Sequence, residues 1–308
     1  MGTSFKLLYN SCTLCPHKCG VNRNQGELGI CRATSNQHIA SVCVHRGEEP
    51  IISGKKGICN VFFSRCNLSC VYCQNFQISS RVRPIEEITT TQAVVEKIKK
   101  NLDTGIRSVG FVSPSHMVLQ VIDIIETLWD NGYKPTIVWN SNGYDNVETL
   151  KILEPYIDVY LPDFKYADET LSVIYSNAPN YPEIALKAIK EMYFQKGNTL
   201  FINDYGEIEK GLIIRHLVLP NKIQNSFRVL ELIANEISTG VAISLMSQYY
   251  PPENTWLPHE LKRPLKKEEY EQVVKKLNEL GFTKGWVQEF ESYQFYRPDF
   301  TKKEHPFE

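Results

Sequence analysis

From about residue 57 onward, short apolar runs alternate with longer segments of helical periodicity. The runs contain many β-branched and aromatic residues, as is typical of buried parallel strands. Strands that alternate with helices need right-handed crossover connections, and such connections produce a parallel sheet. We therefore predict an α/β fold, with strands at residues 58–65, 106–112, 136–140, 157–164, 212–220 and 241–249.

The segments between these runs are predicted to be helices, and several of them end in a glycine stop signal. The predicted helices span residues 89–105, 117–132, 181–197, 226–237 and 266–281. The first carries one apolar stripe, formed by Val94, Val95, Ile98 and Leu102. Six strands favour a partial (β/α)6 TIM-like barrel, with a flat doubly wound sheet as the alternative. Both architectures place the chemistry at the C-terminal ends of the strands.

The bulk properties narrow the functional class. The chain of 308 residues suits one large domain with a small appendage, and its net charge of −1 gives no electrostatic footprint for nucleic acid or an anionic membrane. No apolar run approaches the roughly 20 residues that a membrane helix needs. The N-terminus also lacks the apolar core of a secretory signal. We interpret the chain as a cytoplasmic protein with neither a nucleic-acid nor a membrane partner.

The nine cysteines are the most informative part of the composition. An odd number cannot all pair within the chain, and seven of them fall in two tight clusters, which indicates metal ligands more than disulfides in a cytosolic protein. Residues 1–55 hold five cysteines and are predicted to form a small metal-stapled segment. The barrel is expected over residues 56–290. An aromatic tail, residues 291–308, is expected to cover part of the barrel or its substrate opening.

Cys66, Cys70 and Cys73 form a C-x3-C-x2-C motif directly after the first predicted strand. Three thiolates on one loop can bind three corners of a cubane cluster and leave the fourth iron without a protein ligand. An open position permits chemistry at a metal, whereas four protein ligands are typical of a structural or electron-transfer site. The motif therefore predicts a 4Fe–4S cluster with one open iron. A zinc loop with a distant fourth ligand is the alternative.

This motif, with an aromatic residue before its last cysteine, resembles that of the radical S-adenosylmethionine (SAM) superfamily. Further blocks of the chain are similar to pyruvate formate-lyase activating enzymes, and most of all to the branch of homologues with an N-terminal Cys-rich segment. The resemblance covers about residues 12–290. The blocks that carry it are GKKGICNVFFSRCNLSCVYCQNFQIS, NSNGYD, YLPDFKY, IRHLVLPN, SLMSQYYP and GWVQEF.

The resemblance implies a 4Fe–4S cluster that binds SAM and reductively cleaves it to methionine and a 5′-deoxyadenosyl radical, which abstracts hydrogen from a substrate. It also implies reduced flavodoxin or ferredoxin as electron donor. The first functional hypothesis is an activase for a glycyl radical enzyme. The second is a stand-alone radical enzyme acting on a small molecule or another protein side chain. The third is a non-catalytic Zn or Fe–S protein.

Residues at the strand ends are expected to hold SAM. Ser113 and Ser115 stand where the superfamily usually has a Gly-Gly-Glu block, and they can meet the methionine amino group. Ser115 is equally well placed to cap a helix. Asn142 is expected to contact the ribose or methionine. Asp163 and Lys165 resemble the activase Asp-x-Lys pair, with Lys165 on the methionine carboxylate.

Four other residues have predictions of their own. Tyr72 is expected near the adenine of SAM. Arg215 lies within a predicted strand, and an arginine that points into a barrel needs a carboxylate partner, which we expect in the substrate or cofactor. His216 points to the opposite face and is predicted to be a core histidine. Asn140 replaces an acid of the activases, which puts in doubt the cation site that the acid helps to form.

The N-terminal segment contains four closely spaced cysteines, which fit either a tetrahedral zinc site or a second Fe–S cluster. These are Cys12, Cys15, Cys19 and Cys31. Their role is either structural or the passage of electrons inward. Cys43 and Cys59 have no partner pattern and are predicted to be buried thiols. The linker 45–57 is expected to be a loop in which Glu48 and Glu49 are solvated.

Overall fold

The computed structural model describes residues 7–252, 256–294, 297–302 and 305–307. Within them, ten strands form one open sheet with the order β10-β9-β8-β6-β5-β4-β2-β1-β3, and β7 pairs with β8 outside this path. The strands are β1 Gln37–His45, β2 Ile58–Phe63, β3 Glu87–Thr89, β4 Ser108–Val112, β5 Thr136–Asn140, β6 Val159–Tyr160, β7 Phe201–Ile202, β8 Ile208–Leu217, β9 Ala242–Met246 and β10 Gly285–Val287.

Helices connect most of these strands. Those of the described residues are α1 Pro50–Ser53, α2 Phe76–Ser79, α3 Thr91–Leu102, α4 Val118–Asp130, α5 Val147–Leu153, α6 Glu169–Ser176, α7 Tyr181–Lys196, α8 Ile223–Glu236 and α9 Lys267–Glu279. All five predicted helices form, as α3, α4, α7, α8 and α9. The short helices α5 and α6 were not predicted, because two turns show too little periodicity to stand out in the sequence.

The strand order decides between the two predicted architectures. The strands β2, β4, β5, β6, β8, β9 and β10 are parallel, and each pairs with the next one along the chain. A doubly wound sheet would begin in its middle and reverse direction at a switch point. The observed order never reverses, so the sheet is singly wound, as in a barrel that does not close. The predicted partial TIM-like barrel is therefore confirmed.

All six predicted strands are present, but a seventh parallel strand was missed. This strand, β10, is only three residues long and begins at Gly285. A Cβ atom at Gly285 would lie 1.9 Å from the backbone oxygen of Ile243 on β9. Only glycine fits this close approach, and glycine has no side chain that could mark a strand in the sequence. This is the local reason why β10 was not predicted.

The N-terminal segment contributes to the same sheet. Strand β1 pairs antiparallel with β2, with Val42 opposite Val61, and β3 pairs with the other edge of β1. The sheet therefore extends across the predicted boundary between residues 55 and 56. Ile39 and Val42 of β1 belong to the same hydrophobic core as the barrel strands.

The C-terminal tail packs against β1 and β2, near the carboxyl end of β2. Its Phe300 is fully buried with its ring centroid 5.2 Å from that of Phe62 on β2, and Phe307 lies 4.0 Å from His45 by the same measure. Residues 295–296, 303–304 and 308 of the predicted tail lie outside the described residues. No helix in the described part of the chain is long and apolar enough to cross a membrane.

The packing of β1 yields a stability test. Ile39 is 2% exposed, and Ile39→Ala should lower the free energy of unfolding by about 2–5 kcal/mol, because the lost contacts leave a cavity in the shared core. Ile88→Ala on the neighbouring strand β3 is the matched control: Ile88 is 60% exposed, so the loss should stay below about 0.5 kcal/mol. Urea unfolding measures both. If Ile39→Ala has the same free energy of unfolding as the wild type, residues 1–55 form an independent unit.

Candidate functional site

A cavity of about 380 Å³ lies at the carboxyl ends of the parallel strands. The loop after β2 supplies three cysteines to it, and the ends of β4, β5, β6 and β8 supply polar side chains. Nine of the ten predicted cluster and SAM residues line this cavity: Cys66, Cys70, Tyr72, Cys73, Ser113, Asn142, Asp163, Lys165 and Arg215. The tenth, Ser115, is buried within a 3-10 helix, Pro114–His116, and does not line it. Helix α4 has Met117 at its N-cap, so the predicted capping role of Ser115 is wrong as well.

The cysteine loop is fixed to the end of helix α6 by its backbone. The amide of Ser69 donates to the carbonyl of Ser176 at 3.0 Å, and the amide of Val71 donates to that of Tyr175 at 2.8 Å. Within the loop, the amide of Leu68 donates to Cys66 Sγ at 3.3 Å. These bonds hold the loop in place independently of any bound group.

Each of the three thiols accepts a hydrogen bond from a different side chain. Asn142 Nδ2 donates to Cys66 Sγ at 3.5 Å. Ser176 Oγ lies 2.9 Å from Cys70 Sγ, and Ser79 Oγ lies 3.3 Å from Cys73 Sγ. Such donors orient ligand atoms and stabilise negative charge on sulfur. Neither Ser79 nor Ser176 was predicted, because no sequence pattern connects Ser176 to a cysteine 106 residues away.

Burial raises the pKa of all three thiols. The pKa of Cys66 is raised to about 12 and that of Cys70 to about 11, and in each case burial is the largest cause. A thiol in this state is a poor nucleophile, whereas a metal deprotonates the cysteines that ligate it. The chemistry of the three thiols therefore favours metal ligation over covalent catalysis.

The donor set fits a 4Fe–4S cluster with an open iron. Three thiols, one buried and two half-buried, face one cavity, and no fourth cysteine is among the described residues that line it. In the described part of the chain, no three His, Cys, Asp or Glu side chains are placed to hold a single metal ion. A mononuclear zinc site would need its sulfurs on one tetrahedron, about 2.3 Å from the metal. A cubane spreads its ligands more widely.

The turn after β5 connects the cysteine loop to the rest of the site. Asn142 Nδ2 also donates to Asn67 Oδ1 at 2.8 Å, so this amide holds the cysteine loop. Gly143 has a φ of +76°, and a Cβ atom there would lie 2.2 Å from the backbone oxygen of Asp163. Only glycine fits this close approach. It brings the ends of β5 and β6 together beneath the cavity.

Asp163 and Lys165 form the predicted pair. Lys165 Nζ donates to Asp163 Oδ2 at 2.5 Å, and both side chains line the cavity. Burial alone would lower the pKa of Lys165, but the charges of Asp163 and Cys70 raise it above its usual value. The ammonium group therefore stays charged next to the cysteine loop.

Arg215 has its carboxylate partners within the chain. Its Nε donates to Glu49 Oε1 at 2.8 Å, and its Nη2 contacts carboxylate oxygens of both Glu49 and Glu48. The expectation that these glutamates are solvated is wrong, since their side chains are only 5% and 9% exposed. Burial acts to raise the pKa of Glu48, but the Arg215 guanidinium holds it below its usual value. The linker that carries them also forms α1 and is not only a loop.

Two further predictions concern Tyr72 and His216. Tyr72 is buried with its hydroxyl 2.6 Å from that of Tyr166. His216 is fully buried, with Nδ1 2.7 Å from the carbonyl oxygen of Phe164 and Nε2 2.8 Å from Ser226 Oγ. His216 is therefore a hydrogen-bonded core histidine, as predicted. Cys43 and Cys59 are buried thiols, also as predicted.

The four N-terminal cysteines line a second, smaller cavity together with Arg23. This segment packs directly on the first site. His17 Nε2 lies 2.7 Å from the carbonyl oxygen of Asn67, which is next to Cys66. His17 itself is not among the residues that line the second cavity.

Residues 60–203, which include the cysteine loop and the Asp163–Lys165 pair, match the family description "Radical SAM superfamily". The chain belongs to the radical SAM superfamily. The chain is similar over most of its length to the uncharacterized protein MJ0674 of Methanocaldococcus jannaschii. The two sequences are 30% identical over 87% of this chain and 75% of that protein.

One solved structure has a similar fold. The match to HydG, a maturase of the FeFe-hydrogenase, has a TM-score of 0.51 at 11% identity and covers 75% of this chain and 52% of that one. A domain of the pyruvate-formate lyase-activating enzyme from Bacteroides vulgatus matches with a TM-score of 0.39 at 17% identity, covering 56% and 93%. The likeness to HydG shows the fold alone.

The buried ion pairs of Arg215 lead to a prediction about stability. Arg215→Met leaves Glu48 and Glu49 buried without a cation, which should lower the free energy of unfolding at pH 7 by about 3–5 kcal/mol. The control is Arg263→Met, whose partner Glu269 is 2.8 Å away in a more exposed pair, with an expected loss below about 1 kcal/mol.

The stability loss in Arg215→Met should also depend on pH. The folded-state pKa of Glu48 is lowered in the wild type. The contribution of Glu48 to the free energy of unfolding is therefore present above the usual carboxyl pKa of about 4.3, and it is lost as the pH falls below that value towards the folded-state pKa. In Arg215→Met the unpaired buried carboxylate can instead take up a proton. The difference between wild type and Arg215→Met, measured by urea unfolding at pH 7 and pH 4, should therefore shrink at pH 4. An equal difference at both values would contradict the ion-pair interpretation.

Proposed function

We propose that this radical SAM enzyme holds a 4Fe–4S cluster on Cys66, Cys70 and Cys73 and abstracts hydrogen from a substrate at the mouth of the barrel. The observation that carries the proposal is the set of three thiols, each with its own side-chain donor, facing a cavity that no fourth cysteine of the described residues lines. When bound and reduced, such a cluster supplies the electron that cleaves SAM to methionine and a 5′-deoxyadenosyl radical.

The residues around the cysteines suit the two ends of SAM. Lys165 presents a cation that is buried beside Cys70 and anchored by Asp163, so it can bind the methionine carboxylate without being displaced into solvent. Ser113 is in the left-handed backbone region, with a φ of +51°, and lines the cavity near the expected amino group. The side chains of Tyr72 and Asn142 lie on the cysteine side, where we place the adenosine.

The wall of the cavity that holds the buried ion pairs is proposed to receive the substrate. Glu48, Glu49 and Arg215 line it as one buried ion network, and Phe307 of the tail reaches the same cavity. The network sets two carboxylates against one guanidinium, so its hydrogen bonds fix a polar surface that keeps an excess of negative charge in the cavity. Arg215, which we expected to bind cofactor or substrate directly, is proposed to act through this surface.

We propose activation of a glycyl radical enzyme as the first candidate reaction, on the similarity of the sequence blocks to activases, with reduced flavodoxin or ferredoxin as electron donor. The second candidate is a stand-alone reaction on a small polar molecule. The buried charged wall favours it, since an enclosed ion network suits a polar ligand. The Ser113-to-Ser115 block, which replaces the usual Gly-Gly-Glu, also separates this chain from typical activases.

The reaction itself can be tested with matched cysteine variants. After anaerobic reconstitution, the wild type with SAM and a strong reductant should form 5′-deoxyadenosine, measured by chromatography. Cys70→Ala should abolish this product, because one corner of the cluster loses its ligand. Cys43→Ala removes a thiol that is also buried but lies on β1, and should retain the product. Full activity of Cys70→Ala would contradict the assigned ligand set.

The two candidate reactions can be separated with pyruvate formate-lyase as a probe. The activase hypothesis predicts that the reduced enzyme with SAM generates the glycyl radical signal on the probe in electron paramagnetic resonance spectra. Heat-inactivated enzyme is the control. Formation of 5′-deoxyadenosine without a glycyl radical on this probe would favour the stand-alone reaction.

A further inference from the structure

Four thiols outside the radical SAM site converge on one small cavity. They belong to Cys12, Cys15, Cys19 and Cys31, and the cavity is also lined by Arg23 and Gly29. The first and last of them are buried, and no disulfide joins any of the described cysteines. A Cβ atom at Gly29 would lie 2.8 Å from Cys19 Sγ, so the chain passes this sulfur at a distance that only glycine permits.

Backbone amides point at the sulfurs of this cluster as they do in the radical SAM loop. Cys15 accepts a backbone hydrogen bond from His17, and Cys31 accepts one from Ala33, in both cases two residues further along the chain. The amide of Ile30 donates to Cys19 Sγ at 3.3 Å. In the radical SAM loop, the amide of Leu68 donates in the same way to Cys66 Sγ, two residues earlier in the chain. Amides directed at sulfur are typical of thiolate ligands, because they stabilise negative charge on it.

Arg23 is the observation that requires a charged centre here. It is 2% exposed, and it forms no ion pair with any carboxylate among the described residues. Its Nη1 lies 4.0 Å from Cys12 Sγ and its guanidinium carbon lies 4.1 Å from the ring centroid of Tyr9. Its other hydrogen bonds go to the backbone oxygens of His116 and Thr34 and to Met117 Sδ, none of which carries a negative charge. A buried cation without a counter-charge is strongly destabilising.

Neutral thiols cannot balance this guanidinium, but metal-bound thiolates can. Binding of a metal centre releases the protons of its cysteine ligands to solvent and leaves negative charge on the sulfurs. The four thiols, like those of the cysteine loop, are not placed around a single ion in the described structure. We propose that Cys12, Cys15, Cys19 and Cys31 hold a second iron–sulfur cluster, with Arg23 as its buried counter-charge.

The second cluster lies against the first site. His17 connects the two cysteine segments through its contact with Asn67. Asn146 and Thr149, which follow β5, donate to the carbonyl oxygens of Thr13 and Leu14 at 2.7 and 2.8 Å. Because the contacts of Asn146 and Thr149 are to the backbone of the segment, they persist when its cysteine side chains are substituted.

Metal analysis of anaerobically purified protein tests the proposal independently of catalysis. With two 4Fe–4S clusters the wild type should contain about eight irons and eight acid-labile sulfides per chain. The double variant Cys12→Ser/Cys31→Ser and the double variant Cys66→Ser/Cys70→Ser should each lose half of this iron. A wild type with half the expected iron, all of it lost in Cys66→Ser/Cys70→Ser and none in Cys12→Ser/Cys31→Ser, would overturn the second cluster, whether or not the N-terminal cysteines hold zinc. Loss of iron from Cys66, Cys70 and Cys73 alone would contradict the proposed function but not the second cluster.

Arg23 variants provide a test that does not remove a ligand. Arg23→Met removes the counter-charge, so it should either lose the iron of the second cluster or shift the reduction potential of that cluster to a more negative value. Arg23→Lys keeps the charge and should resemble the wild type. Potentiometric titration followed by electron paramagnetic resonance measures both clusters in one sample. Equal iron content and equal potentials in wild type and Arg23→Met would contradict the assigned role of Arg23.

Discussion

Parallel strand pairing is the constraint on which the site depends. Seven strands run in the same direction, in chain order, and therefore deliver their carboxyl ends to one edge of the sheet. The cysteine loop follows β2, the Asn142 turn follows β5 and the Asp163–Lys165 pair follows β6. Cys66 and Asn142, which are 76 positions apart in the sequence, meet there because their strands end at the same edge. Strand direction therefore determines which side chains line the cavity.

The cysteine loop is held by two kinds of contact that act on different atoms. Its backbone is tied to the end of α6, while its sulfurs accept hydrogen bonds from three separate elements: the turn after β5, helix α6 and helix α2. Contacts to the backbone set the path of the loop. Contacts to the sulfurs set the direction in which each ligand points. An assembled ligand set of this kind is suited to a group that must be held without a fourth protein ligand.

Sequence patterns were sufficient for the repeated parts of the fold and for residues at strand ends. The buried strands and the longer helices have strong periodicity, and eight of the nine predicted site residues that line the cavity lie in segments that follow a strand, whereas Arg215 lies within β8. Contacts across the fold could not be predicted. Glu49 pairs with Arg215 across 166 positions, and in sequence it has only the features of a loop residue. The short strand β10 was missed because Gly285 removes the side chain that would have marked it.

The place of β1 and of the two glutamates sets a limit on how this chain can be shortened. A fragment that begins at residue 60, where the family match starts, would lack β1 and both carboxylates that neutralise Arg215. The hydrogen-bonding edge of β2 would become an open template for self-association. The guanidinium would remain at the barrel mouth without its anions. The minimal catalytic unit of this protein is therefore larger than the segment that identifies its family.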